Sequence, residues 1–142
     1  MVDLRTLLQR VRDDMTDAGH EITLDIGDDA VPFACRPVAP RRALSNLIDN
    51  AIKYGRRARV SLENDPRGVL VRIDDNGPGI PEDLQGEAFR PFRRLEESRG
   101  RENGGTGLGL TVARTIVRAH GGDITLTNRS EGGLRVDVRL PR

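Results

Sequence analysis

Hydrophobic side chains recur at helical spacing in three stretches of the chain, and each stretch predicts an amphipathic helix. The first apolar stripe covers 4–11 and follows Asp3, which can cap the helix through its carboxylate. The second covers 44–52, and its helix opens at Pro40. The third helix is predicted from about 107 to 120. Glycines end all three helices: Gly19, Gly55 and Gly121.

Apolar and polar positions alternate in most of the remaining chain, which predicts strands with one buried face. The predicted strands cover 22–26, 31–36, 60–62, 69–73, 124–126 and 134–140. A turn over 64–68, rich in Asn, Asp, Pro and Gly, joins the third strand to the fourth. Residues 74–105 have no periodicity, and a loop of this length inside a compact domain is usually functional. Together these elements predict a two-layer α/β sandwich, with helices on one face of a mixed, mostly antiparallel sheet.

Composition narrows the class of protein. A length of 142 residues predicts one domain over 1–142. The net charge is +1 and the arginines are scattered, which argues against nucleic-acid binding. A single cysteine, Cys35, excludes an internal disulfide and agrees with a cytoplasmic location. The sequence contains no apolar run long enough to span a membrane.

The second predicted helix carries a polar face beside its apolar stripe. Asn46, Asn50 and Lys53 are spaced four and three residues apart, so they share that face. Amide oxygens suit Mg²⁺, which prefers oxygen ligands shared with phosphates, and a lysine can neutralise phosphate charge. The alternative is an ordinary solvated face of an amphipathic helix.

A glycine-rich turn follows the strand at 69–73. Its sequence is Asp-Asp-Asn-Gly-Pro-Gly-Ile over 74–80, and Gly77 and Gly79 allow a sharp turn close to a ligand. The carboxylate of Asp75 could accept a hydrogen bond from an exocyclic amine such as that of adenine. The same residues also suit an ordinary turn with no ligand.

A second glycine-rich stretch, over 104–110, immediately precedes the third helix. Glycines at this position expose backbone N–H groups to an anion at the positive end of the helix dipole. The spacing matches neither the P-loop nor the dinucleotide-binding fingerprint. A flexible hinge remains the alternative interpretation.

In this order, the three motifs resemble the N, G1 and G2 boxes of the Bergerat-fold ATPases, over 41–122. That superfamily includes histidine kinases, Hsp90, DNA gyrase, mismatch-repair MutL and anti-sigma-factor kinases. Two features resemble the histidine kinases in particular. Residues 89–94, Phe-Arg-Pro-Phe-Arg-Arg, look like their F box. Asn46 also stands where the self-sufficient ATPases carry an acidic residue that activates water.

The resemblance implies a role for each matching residue. Asn50 would bind Mg²⁺ directly with support from Asn46, and Lys53 and Arg94 would act on the phosphates during transfer. Tyr54 would lie beside the nucleotide, and Asp75 would bind the adenine amine. Residues 94–104 would form the ATP lid. The nucleotide would also be lined by glycines and their neighbours: Gly77, Gly79, Gly105, Thr106, Gly107, Leu108 and Gly109.

The resemblance further implies transfer of the γ-phosphoryl group of ATP to a histidine on a separate dimerisation segment. The chain has two histidines, and neither lies in the sequence context of a phosphoacceptor: His20 precedes a predicted strand, and His120 ends a helix. The acceptor helices are therefore expected in a dimeric, membrane-anchored parent protein that signals to a response regulator, with the isolated domain a monomer. Two other functions remain open, a serine kinase of the anti-sigma-factor type and a nucleotide-sensing module without transfer activity.

Overall fold

The computed structural model describes residues 2–16, 21–27, 31–33, 38–55, 57–77, 79, 109–130 and 132–141. Three helices have the bounds α1 Leu4–Thr16, α2 Val38–Gly55 and α3 Gly109–Ala119. The strands are β1 Val2–Asp3, β2 Glu21–Asp25, β3 Pro32–Phe33, β4 Arg57–Asp65, β5 Gly68–Asp75, β6 Asp123–Asn128 and β7 Leu134–Pro141.

Five of the strands form one mixed sheet in the order β2-β4-β5-β7-β6. The β2–β4 pair is parallel, and the other three pairs are antiparallel. The helices form a second layer on this sheet, with α1 against β2, α2 against β4 and β5, and α3 against β6 and β7. The predicted two-layer α/β sandwich is confirmed.

The core between the two layers is built mainly from aliphatic side chains. Helix α2 packs against both α1 and α3 as well as the sheet, so its apolar stripe is the most enclosed part of the helical layer. Inward-facing strand residues complete the core. Its largest fully buried side chains include Leu4, Leu8, Leu47, Ile48, Ile73 and Leu134. Burial of such side chains stabilises the fold by about 1.5–3 kcal/mol each, before the entropy of ordering them is subtracted.

A small second sheet fastens the beginning of the described chain to the domain. β1 and β3 pair antiparallel, with Val2 opposite Phe33. Asp3 caps α1, as predicted, because its Oδ1 accepts from the N–H of Arg5 and its Oδ2 accepts from the hydroxyl of Thr6. The same Oδ1 accepts from the N–H of Val31 at 2.9 Å. One carboxylate therefore joins the start of α1 to a segment 28 residues further along the chain.

The outer face of the sheet, opposite the helices, carries charged side chains in alternating sign. Arg72 faces Asp137 and Asp74 faces Arg135 across β5 and β7, with N–O distances of 2.8 Å in both pairs. Both carboxylates are largely shielded, with side chains 11% and 13% exposed. Because each pair links directly opposite residues, the two pairs help to fix the register of β5 against β7.

Several predicted boundaries shift in the structure. Helix α2 begins at Val38, two residues before Pro40, whose missing N–H costs nothing in a first turn. β4 and β5 reach further than predicted, since Asp65 pairs with Gly68 and only two residues form the turn. In the described part of the strand predicted over 31–36, β3 covers Pro32–Phe33, and it pairs with β1, which had no sequence signal. No helix in the described part of the chain is both long enough and apolar enough to cross a membrane.

His120 follows the last residue of α3, and its contacts agree with a structural role. Its Nδ1 lies 2.8 Å from the carbonyl oxygen of Ile116, which makes that nitrogen the donor. Its ring is tilted against that of Phe33, with centroids 6.4 Å apart. His20, the other histidine of the chain, lies outside the described residues.

Replacement of Asp3 tests the junction between β1, α1 and the Val31 segment. We expect Asp3→Ala to lower the free energy of unfolding by about 2 kcal/mol, because it removes a helix cap and leaves the N–H of Val31 without its acceptor. Asp14→Ala is the matched control, because Asp14 lies in α1, the helix that Asp3 caps. Its exposed ion pair with Arg41 should contribute less than about 1 kcal/mol. Urea unfolding at neutral pH measures both changes.

The effect of Asp3 should also depend on pH. The N–H of Val31 is the largest influence that holds the pKa of Asp3 below its ordinary value of 3.8. A lowered folded-state pKa means that the contribution is complete above pH 3.8 and is lost as pH falls through the lower folded value. The stability difference between the parent chain and Asp3→Ala should therefore shrink in acid. A difference that stays constant down to about pH 2 would contradict this account.

Candidate functional site

The last turn of α2 and the end of β5 lie at the same end of the sheet. Only one residue separates Gly55, the end of α2, from Arg57, the start of β4. The N–H of Arg57 donates to Oδ1 of Asn76 at 3.1 Å, and the next residue, Ala58, is paired with Asp75. Tyr54 precedes Arg57 by three residues, so their Cα atoms are at most about 11 Å apart. The polar positions at the end of α2 are thus near the glycine-rich turn.

The first turn of α3 is brought to the same end by the way this helix stops. Gly121, with φ +83°, donates to the carbonyl of Arg118, and Gly122 donates to that of Val117. This pair of bonds is the Schellman motif, and it reverses the chain into β6. Helix α3 packs against β6 and, at about 16 Å, is nearly as long as that strand. Gly109 therefore lies at the end of the sheet where β6 finishes.

Asp75 is the most deeply buried carboxylate among the described residues, at 2% exposure. It occupies the last position of β5, on the face of the sheet that carries the helices. Its Oδ1 accepts from the N–H of Gly77 at 2.9 Å and from the N–H of Leu134 at 3.1 Å. Two backbone donors on one oxygen fix the orientation of the carboxylate.

The glycine-rich turn passes close to the end of β6. Gly79 is buried and has φ +75°, a conformation that non-glycine residues rarely adopt. A Cβ on Gly79 would also lie 2.5 Å from Oδ1 of Asn128. Both observations explain why glycine stands there, as the sequence motif suggested. The turn is closed by the bond from Gly77 to Asp75 rather than by a ladder to another strand.

The loop between β6 and β7 supports this turn through a contact that no sequence pattern indicated. Nη1 of Arg129 donates to the carbonyl of Asp75 at 2.8 Å. Within the loop, the N–H of Arg129 donates to the carbonyl of Gly133 at 2.9 Å. Gly133 has φ +96°, and a Cβ there would overlap the carbonyl oxygen of Asp75. The strands predicted over 124–126 and 134–140 imply a connection between them, but no sequence pattern indicated its contact with a residue 58 positions earlier in the chain.

The remaining predicted site residues are described to different extents. Asn46 is half-buried on α2. Asn50, Lys53 and Tyr54 have helical backbone positions on α2, consistent with a shared polar face for Asn46, Asn50 and Lys53. Gly109 is the first described residue of α3, and the predicted start at about 107 lies outside the described residues. Outside the described residues lie Arg94, the proposed lid over 94–104, the F-box-like stretch 89–94, and Gly105, Thr106, Gly107 and Leu108.

The arrangement agrees with a family of known ATPases. Residues 35–142 match the family of histidine kinase-, DNA gyrase B- and HSP90-like ATPases. The match covers α2, both glycine-rich motifs and the sheet from β4 to β7. The chain belongs to this family. ATP binding follows from that membership, and the site described above is part of an ATPase domain.

Among its relatives, this ATPase domain is similar to two sensor histidine kinases. It is 47% identical to sensor histidine kinase GtrS of Pseudomonas aeruginosa, over 99% of this chain and 28% of that protein. It is 38% identical to sensor histidine kinase CpxA of Escherichia coli K12, over 87% of this chain and 27% of that protein. The chain thus spans about a quarter of the length of these curated relatives.

Solved structures give the same assignment of fold. The domain superposes on the mycobacterial sensor histidine kinase MprB with a TM-score of 0.83 and 26% identity, over 99% of this chain and 95% of that one. It superposes on the ATP-binding domain of PrrB from Mycobacterium tuberculosis with a TM-score of 0.78 and 29% identity, over 99% and 94% of the two chains. The expected Bergerat-type fold is confirmed.

Two neighbouring glycines allow the contact between the β6–β7 loop and Asp75 to be tested. Gly132 and Gly133 have nearly equal φ values of +99° and +96°, but a Cβ on Gly132 would meet no atom within 4 Å. We expect Gly132→Ala to cost about 1–3 kcal/mol, from backbone conformation alone. Gly133→Ala should cost at least about 2 kcal/mol more, because the new methyl group displaces Asp75. Equal losses in denaturant unfolding would show that the close approach is unimportant.

Proposed function

We propose that this chain binds Mg-ATP and transfers its γ-phosphoryl group to a histidine on the dimerisation helices of a parent sensor kinase. The observation that carries the proposal is the buried carboxylate of Asp75, oriented by two backbone N–H groups at the end of β5. The last turn of α2 and the first described turn of α3 lie at the same end of the sheet, which supports a single site for the three sequence motifs. Similarity to GtrS and CpxA, both named sensor histidine kinases, supports the kinase class.

In this proposal Asp75 selects the base. With Oδ1 engaged by Gly77 and Leu134, the carboxylate presents its other oxygen in a fixed direction. An ionised carboxylate accepts hydrogen bonds but cannot donate them. Its oxygen therefore favours the amine of adenine over the carbonyl of guanine. Gly77 and Gly79 keep the turn narrow enough for the base to approach. Tyr54 is proposed to lie beside the nucleotide.

The phosphates and the metal are assigned to the other two motifs. Asn50 would supply an oxygen to Mg²⁺, with Asn46 supporting the metal, and Lys53 would neutralise phosphate charge. Gly105, Thr106, Gly107, Leu108 and Gly109 would surround the triphosphate, where the first N–H groups of α3 favour an anion. Residues 94–104 are proposed as the lid. Arg94 would stabilise the charge that develops on the transferred group.

Transfer would break the bond from the γ-phosphorus to the bridging oxygen of ADP and form a bond to an imidazole nitrogen of the acceptor. The unprotonated ring nitrogen attacks, the proton on the other ring nitrogen is then lost to solvent, and ADP leaves with the electron pair of the broken bond. Positioning and charge neutralisation supply most of the rate of such reactions. The amide of Asn46 is not basic enough to take a proton from water. This position therefore offers no general base that would let water attack the phosphate instead of the acceptor histidine.

The wider assignments follow the same proposal. Residues 1–142 would be the catalytic domain, monomeric in isolation, from the cytoplasmic part of a dimeric, membrane-anchored kinase that phosphorylates a response regulator. A serine kinase of the anti-sigma-factor type is less well supported, because the relatives named here are sensor histidine kinases. A sensing module without transfer would need none of the residues proposed to act on the γ-phosphate.

The adenine assignment predicts a change of base preference in Asp75→Asn. Asparagine can keep its oxygen on Gly77 and Leu134, which places the amide NH₂ where the second carboxylate oxygen was. The site then donates where it should accept. We expect ATP affinity to fall by about 10- to 100-fold, and GTP affinity to fall much less. Calorimetry with both nucleotides measures the change, and equal ATP and GTP affinities in the parent chain would remove this role.

The transfer assignment predicts that the chain binds ATP but does not phosphorylate itself. Incubation with γ-labelled ATP should label the histidine-bearing dimerisation helices of the parent kinase when these are added as a separate polypeptide. Omission of Mg²⁺ should abolish the label. Arg94→Ala should slow labelling by more than about tenfold while changing ATP affinity little, as expected for a group that acts in the transition state. Acid-labile label on the isolated chain, removed by His20→Ala, would contradict the separate acceptor.

A further inference from the structure

Asp75 lies where the hydrogen-bond ladder between β5 and β7 ends. The last paired residues are Asp74 and Arg135. Beyond them, two hydrogen bonds that each involve a side chain join Asp75 to the β6–β7 side. The N–H of Leu134 donates to the carboxylate of Asp75 at 3.1 Å, and Arg129 donates to its backbone carbonyl at 2.8 Å. Both the main chain and the side chain of Asp75 are thus held from the β6–β7 side.

We propose that Arg129 is a positioning residue for adenine recognition, acting through Asp75. This inference rests on the proposed function, because it deepens the account of how the same site selects its base. Arg129 is half-buried, so its guanidinium is partly shielded from the water that would compete for the carbonyl. A charge-assisted hydrogen bond from arginine is stronger than a neutral hydrogen bond between two backbone groups.

The position of Arg129 depends on the loop that carries it. Its own N–H donates to the carbonyl of Gly133, and its carbonyl accepts from the N–H of Gly132 at 3.1 Å. These two bonds close the loop, and Gly133 lets it approach Asp75 without a side chain between them. Asn128, the residue before Arg129, contacts the far side of the glycine-rich turn at Gly79. Loop and turn therefore meet at both ends of the segment 75–79.

The consequence for binding is specific to the base. Loss of the Arg129 side chain removes its hydrogen bond to the carbonyl of Asp75. The end of β5, which sets the orientation of the Asp75 carboxylate, is then held less firmly. ATP uses that direction, since its amine must meet a carboxylate oxygen within hydrogen-bond distance. GTP gains nothing from the same oxygen. Looser positioning should therefore reduce the preference for ATP over GTP, whereas general destabilisation of the fold would weaken both nucleotides alike.

The test measures Mg-ATP and Mg-GTP affinities by calorimetry for Arg129→Ala, Arg129→Lys and two controls. We expect Arg129→Ala to weaken ATP by about three- to tenfold and GTP by less than about twofold. Arg129→Lys should recover part of the loss, since its ammonium can still donate one bond. Arg139→Ala removes an exposed arginine from β7 of the same hairpin and should change neither affinity. Arg72→Ala breaks the pair with Asp137, lowering stability without touching the site.

Hydrogen exchange without nucleotide gives a second measurement. The amides of Leu134 and Gly77 should exchange faster in Arg129→Ala than in Arg72→Ala, even if both variants are equally destabilised. An unchanged ATP-to-GTP ratio in Arg129→Ala, with the parent chain preferring ATP, would overturn the role of Arg129 alone. Equal affinities of the parent chain for both nucleotides would overturn the role of Asp75 and this inference with it. If Arg129→Ala does not fold, the same comparison is made with Arg129→Met, which keeps a long side chain but has no donor, and an unchanged ratio there would equally refute the proposal.

Discussion

The structure depends on one buried carboxylate, that of Asp75, which must be satisfied where its strand leaves the sheet. A buried ionisable group without hydrogen-bond partners is strongly destabilising. Here the N–H groups of Gly77 and Leu134 satisfy one oxygen, and this requirement shapes two loops at once. The turn after β5 must fold back on Asp75, and the β6–β7 loop must come close enough for Leu134 to reach it. Gly133 makes that approach possible.

The three motifs meet because two helices are joined to strands by very short connections. One residue joins α2 to β4, and three join α3 to β6. Each helix therefore keeps the end at its short connection beside the edge of a particular strand. The last turn of α2 and the last turn of α3 are thereby held on the central sheet. Such short connections suit a site that acts chiefly by positioning its ligand.

Periodicity predicted the three helices, the main strands and the order of the motifs, because each of these is a local signal. It missed β1, since a two-residue strand has no period and its partner Phe33 lies about 30 residues away. It also missed the contact of Arg129 with Asp75, which spans 54 residues and starts in an unremarkable hairpin loop. The sequence motif identified the carboxylate of Asp75, but not the two backbone N–H groups that donate to it. Contacts between distant loops depend on tertiary approach, which single-sequence patterns do not encode.

The register of the central strands links stability to the site. Asp74 and Asp75 are neighbours on opposite faces of β5: Asp74 pairs with Arg135 on the outer face, and Asp75 is buried beneath the helices. A shift of one residue would exchange them, placing Asp74 in the core and Asp75 in solvent. Alternation of Val69, Val71 and Ile73 opposes that shift, and the ion pairs of Arg72 and Arg135 oppose it from the other face. Exposed ion pairs contribute little to stability in general, but these two join opposite residues with shielded carboxylates. The charged outer face, although it lies across the sheet from the helices, thereby helps to fix the register of β5 against β7.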